Sequence, residues 1–96
     1  MTVGKRSLNI EYTGEIWKEG RTFIARAVPL DVMSCGGSAK QARDNLREAV
    51  ALFVSTARDQ RTLAAILREC GYRRTRSGWQ PPQMLAREHV RHAVNA

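Results

Sequence analysis

One segment constrains the fold of this chain more than any other: a capped amphipathic helix opening at Ser38, directly after a strand-like region and the pair Gly36-Gly37. The Ser38 side chain is of the type that accepts from a helix N-terminus, and Gln41 three residues later completes a capping box. Ala42, Leu46, Ala49, Val50 and Phe53 then recur at spacings of three and four, which collects them on one helical face. Lys40, Arg43, Asp44, Arg47 and Glu48 fall mostly on the opposite side. The spacing predicts about five turns, with the apolar stripe laid on a sheet.

That sheet is read from the residues upstream. Leu8, Ile10 and Tyr12 alternate with Asn9, Glu11 and Thr13, the period of a strand with one buried face. Gly20 supplies a turn, and residues 22–28 (TFIARAV) form a second strand rich in aromatic and β-branched side chains. Pro29 has no N–H for the ladder and ends it. A short third strand is expected at Val32–Cys35, stopped by Gly36.

Beyond the helix, Thr62 reads as an N-cap for Leu63, Ile66, Leu67 and Cys70 at i, i+3, i+4 and i+7. Gly71 stands where a left-handed residue closes a helix. Tyr72–Trp79 fits a short strand, and Pro81-Pro82 forbids regular structure across that point. His89–Val94 fits a strand, while the run from Met84 onward fits a short helix equally well. Strands followed by helices predict an α+β fold: a three-stranded antiparallel sheet, a long helix on one face, a second short helix and a basic C-terminal extension. The domain is expected over residues 1–82 and the extension over 83–96. Leu46, Ala49, Phe53, Pro29, Gly36, Ser38 and Gly71 are its expected structural positions.

Composition narrows the class. The 96 residues are 43% hydrophobic, enough for one core and too few for two. No run approaches the roughly 18 apolar residues of a membrane span. Lys5 and Arg6 precede no apolar block, so a secretory signal is not expected, and a cytoplasmic setting is. Cys35 and Cys70 lack the spacing of a zinc or redox motif, and Cys70 reads as a buried thiol. The net charge of +7 is concentrated toward the end, where Arg73, Arg74, Arg76, Arg87 and Arg91 face Glu88 alone after residue 70.

Catalytic patterns are weak. Glu11, Asp31 and Glu48 are the carboxylates a metal-dependent nuclease would use, but the phase of Glu11 points it to solvent. His89 and His92 are three apart in a terminal segment, and no histidine occurs earlier to build a nucleophile–base pair. The Gly36-Gly37 turn lacks the GK[ST] sequence of a phosphate loop. No catalytic residue, metal ligand or cofactor is assigned. Arg73, Arg74 and Arg76, with Tyr72 and Trp79 nearby, are the candidate nucleic-acid contacts, since arginines grip phosphates and aromatics stack on bases. The plainer reading is a solvated strand anchored by one tryptophan. Trp17 at the hairpin and Trp79 are candidates for a partner or dimer interface.

Several stretches in order resemble the HicB-like antitoxin family, in its short UPF0150-type form. Phe23-Ile24-Ala25-Arg26-Ala27-Val28-Pro29-Leu30-Asp31 resembles that family's second strand and closing proline, and Gly36-Gly37-Ser38 falls on its Gly-Asp-Thr turn. Ala42-Arg43-Asp44-Asn45-Leu46-Arg47-Glu48-Ala49 is similar to its Ala-x-x-Asn-Leu-x-Glu-Ala helix. Leu63 to Tyr72 and Trp79-Gln80-Pro81-Pro82 also have counterparts, so the resemblance covers about residues 8–82. Gly37 stands where the family carries an acidic residue, and Lys40-Gln41 where it carries a Glu pair. The resemblance implies a truncated RNase H-like β-β-β-α core without catalytic carboxylates. It further implies a HicA-like, mRNA-cleaving toxin as protein partner, with a homodimer or tetramer as the assembly. A free-standing nucleic-acid-binding module is the alternative.

Overall fold

The computed structural model describes residues 8–95, so Lys5 and Arg6 lie outside the described residues. Its elements are β1 (Asn9–Ile10), β2 (Thr13–Glu19), β3 (Thr22–Val28), β4 (Val32–Gly36), α1 (Ala39–Asp59), α2 (Leu63–Glu69), β5 (Arg73–Arg74) and β6 (Gly78–Gln80). β2, β3 and β4 form an antiparallel sheet in that order, and α1 packs across all three strands. The fold is α+β, with a long helix and a short one beside a three-stranded sheet.

The hairpin turns through Gly20-Arg21, with Glu19 opposite Thr22 and Gly20 at φ 61°. A positive φ at the first of two loop residues suits the right-handed twist of the flanking strands. Along β3, Ala25 and Ala27 are fully buried toward α1, and Ala42 on the helix is equally buried. These methyl groups let helix and sheet backbones approach closely. Gly36 marks the tightest point, since a Cβ there would lie 2.7 Å from the Ala42 nitrogen. Leu46, Val50 and Ala57 continue the buried stripe of α1, with Leu30, Leu67, Tyr72 and Trp79 completing the core. Phe53 packs against that core half-buried, and Ala49 is likewise half-exposed at its margin.

Both ends of α1 are closed by their own residues. The Ser38 hydroxyl accepts from the Gln41 N–H at 3.0 Å, and Gln41 accepts in turn from the Gly37 N–H. At the far end the Arg61 N–H donates to the Arg58 carbonyl and the Thr62 N–H to the Ala57 carbonyl, a Schellman pair. Its left-handed position is Arg61, at φ 61°. α2 ends the same way, with Gly71 in the left-handed position and the Tyr72 N–H donating to the Leu67 carbonyl. Thr62 is therefore not the side-chain cap expected of it. Its hydroxyl donates to the Ala57 carbonyl instead, because the residue already belongs to the closure of α1.

Two expectations about strands are corrected. The first expected strand is broken at Glu11-Tyr12: β1 leaves the main sheet and pairs in parallel with β6. Tyr72–Trp79 is a tight hairpin rather than one strand, with Arg73 opposite Gln80 and Arg74 opposite Trp79. Residues 81–95 hold neither the strand nor the short helix considered for them. No helix among the described residues is long and apolar enough to cross a membrane.

Gly78 makes the β1–β6 junction possible. Its φ is 149°, and a Cβ there would sit 1.8 Å from the Asn9 carbonyl oxygen. Gly78→Ala is expected to cost about 3 kcal/mol, from collision plus backbone strain. For a domain of this size that lowers Tm by more than about 10 °C, which a thermal melt measures.

Candidate partner-binding surfaces

α1 is charged differently along its two flanks. At about 100° per residue, Lys40, Arg43, Arg47 and Arg58 line one side of the buried stripe. Asn45 and Leu52 line the other, Glu48 points away from the sheet, opposite Leu46 and Val50, and Asp59 is ion-paired with Arg58 at 3.9 Å. The basic side overhangs β2, where Arg43, Leu46 and Arg47 border a cleft with Tyr12 and Gly14. Lys40 donates to Asp44 at 2.7 Å, and that bond is the main reason the Asp44 carboxyl titrates below its ordinary value. The other side looks toward β4 and α2. There Asn45 donates to the Cys35 carbonyl at 2.8 Å, and Leu52 is 69% exposed above an apolar cleft with Ala49, Phe53 and Ile66. Sequence periodicity separated core from solvent on this helix but did not single out Leu52.

The sheet has a second face that no helix covers. Strand alternation places Trp17, Ile24 and Cys35 in one row there, with Glu15, Arg26 and Met33 in the next. Trp17 and Ile24 are half-buried, Cys35 is exposed, and Met33 is 52% exposed. Arg26 pairs with Asp31 at 3.0 Å. Trp17 therefore stands on an open surface, as an interface candidate should.

Trp79 does not. It is 4% exposed, held in the core by β6, with the Arg68 and Arg74 guanidinium groups 5.4 and 5.6 Å from its ring centroid. Its expected place in an interface is corrected to a core anchor capped by two cations. The arginine cluster divides accordingly. Arg74 is committed to Trp79, Arg73 projects to the other side of the small hairpin, and Arg76 stands exposed at its tip. Tyr72 is also withdrawn from any base-stacking role, because it is buried and its hydroxyl donates to the Glu11 carbonyl at 2.6 Å.

Among the described residues no three of the His, Cys, Asp and Glu side chains gather as a metal-holding group, so Glu11, Asp31 and Glu48 stay apart. Cys35 and Cys70 are both free thiols, and Cys70 is half-buried rather than enclosed.

Burial, with lesser contributions from Cys70, Glu11 and Tyr12, pushes the Tyr72 hydroxyl up to about 12 from 10.0. The folded state thus keeps the phenol proton where the unfolded chain loses it. The contribution is fully present below pH 10 and is lost as pH rises toward about 12. Tyr72→Phe is expected to cost about 1 kcal/mol at neutral pH and to flatten this alkaline decline, measured by urea unfolding at stepped pH. No family model matches the chain, and neither a curated protein nor a solved structure does.

Proposed function

We propose that this chain is a partner-binding protein without catalysis of its own, acting as the antitoxin to a small HicA-like, mRNA-cleaving toxin or descended from one that did. The observation that carries the reading is the Leu52 flank of α1. An exposed leucine lies over an apolar cleft and has Glu48 and Asp59 on the same side. An RNase must present a basic surface to RNA, and an apolar centre with acidic neighbours complements such a surface. Around Leu52 the charge is locally mixed despite the net +7: Glu48 has no ion-pair partner among the described residues, while Asp59 is paired with Arg58 at 3.9 Å. The β-β-β-α order, which the resembling residues imply, supports the same family reading. A cytoplasmic setting goes with it.

The experiment is co-expression with the product of the small RNase-like reading frame that this reading expects beside its gene. The expected result is co-purification and relief of mRNA cleavage, both lost at least tenfold on Leu52→Arg with the circular dichroism spectrum unchanged. No co-purification, or indifference to Leu52→Arg, removes the proposal.

One observation favours a second reading, a nucleic-acid-binding module. Arg43 and Arg47 overhang the β2 edge without an ion-pair partner among the described residues, and Arg73 and Arg76 are exposed elsewhere. This reading expects binding to a short RNA or DNA duplex that weakens steeply with salt and is reduced by Arg43→Glu. Absence of binding at low ionic strength overturns it.

A further inference from the structure

The basic flank of α1 borders a groove made of two clefts in series. In the first, Arg43, Leu46 and Arg47 face Tyr12 and Gly14. In the second, Val50, Val54 and Arg58 face Leu8 and Ile10. Their volumes are about 330 and 350 Å³. One wall climbs the helix turn by turn from Arg43 to Arg58, about 22 Å. The other runs back along it through every second residue, from Gly14 and Tyr12 to Ile10 and Leu8.

Floor and rim differ in chemistry. The floor is apolar: Leu46 and Val50 belong to the core, and Ile10, Tyr12 and Val54 pack half-buried against it. The rim is cationic. Arg43 and Arg47 are exposed one helical turn apart, without an ion-pair partner among the described residues. Asp44, which lies between them in sequence, is held by Lys40 at 2.7 Å. Arg58 stands at the far end, 3.9 Å from Asp59. Among the described residues no carboxylate lines either cleft.

We infer that this groove holds a single-stranded nucleic acid, its phosphates on the Arg43–Arg47 rim and its unpaired bases against Tyr12 and Ile10. The inference rests on the nucleic-acid-binding reading and gives that reading a site and a strand class. Charge selects an anion, since two uncompensated guanidinium groups favour phosphate or carboxylate. The floor then selects among anions. A free phosphate would use the rim and leave the apolar floor wet. An acidic protein segment brings carboxylates, but a flat ring only where its sequence supplies one. A nucleic-acid strand brings a planar base with every phosphate, and a basic groove with an aromatic beside it suits that pairing. A duplex meets the rim with its phosphates yet keeps its bases stacked inside, away from Tyr12. The length agrees too: about 22 Å accommodates about four nucleotides, the lower end of what one small domain holds.

The test is fluorescence anisotropy of the full-length chain with labelled oligo-uridine, oligo-thymidylate, a duplex of equal length and oligo-glutamate. At low salt a single strand is expected to bind at least tenfold more tightly than the duplex, and the tighter of the two single strands identifies RNA or DNA as the source. Replacing both arginines, Arg43→Ala with Arg47→Ala, weakens binding at least tenfold and makes the log–log salt slope shallower by about 1.4, the share of two phosphates. Tyr12→Leu keeps an apolar body on the core but removes the ring; it weakens binding at least fivefold with the slope unchanged. Thermal melts confirm that the variants are folded, and the exposed arginine pair carries the test even where Tyr12→Leu unfolds. A duplex bound as tightly as the single strands overturns the inference and leaves the nucleic-acid reading standing. No binding of any nucleic acid at low ionic strength removes both. Oligo-glutamate bound as tightly makes an acidic protein the occupant and overturns the inference, as does indifference to the arginine pair or to a folded Tyr12→Leu.

Discussion

Helix α1 sits on a floor of alanines. Ala25 and Ala27 of β3 and Ala42 of the helix are without exposed surface, and Gly36 leaves no room for even one further carbon beside the Ala42 nitrogen. Packing at this closeness contributes through many small dispersion contacts, and it leaves little freedom in the angle at which the helix lies. The position of everything else follows. The stripe from Leu46 to Ala57 faces down, so Arg43 on one flank and Leu52 on the other, about 180° apart around the helix, face sideways in opposite directions. Among the described residues both helices lie on the other side of the sheet or beside it, so no helix covers its second face.

Under the proposed reading, a chain of strongly positive charge still offers a partner a local apolar surface around Leu52. Net charge governs long-range attraction, whereas a docking surface is decided by the few groups that lose water together. The arginines near Trp79 show the same separation of roles. Two of the chain's cations act there as covers for an indole ring, and their guanidinium planes are spent on the core rather than on a ligand.

What could be read from the residues was whatever is specified locally. The Ser38–Gln41 cap, the alternation of the hairpin, and the leucine–alanine stripe of α1 each depend on neighbours within a few positions, and each is present. The misses share the opposite property. The break between β1 and β2 depends on Gly78, almost 70 residues away, fitting against Asn9. Trp79 looked like an interface residue because nothing near it in sequence announces that β6 will pair with β1 and bury it. Thr62 is a different, local case: it is the N-cap residue of α2, but its hydroxyl bonds back to Ala57 because Arg61 takes the left-handed position that closes α1. The place of Trp17 on the face turned away from α1 was legible from the alternation of the hairpin. Leu52 was not, because an exposed leucine in an amphipathic helix differs from a buried one only by about 100° of rotation.

The prolines after β6 have one more effect. β2 is the end strand of its sheet, and Pro81 and Pro82 lie in a cleft with Thr13, Glu15 and Val28 at the end of the face turned away from α1. A segment lacking two consecutive amide donors can lie against a sheet but cannot be paired into its ladder. The root of the C-terminal segment is thereby held to the sheet by side chains, the Arg87–Glu15 ion pair among them, and not by backbone pairing.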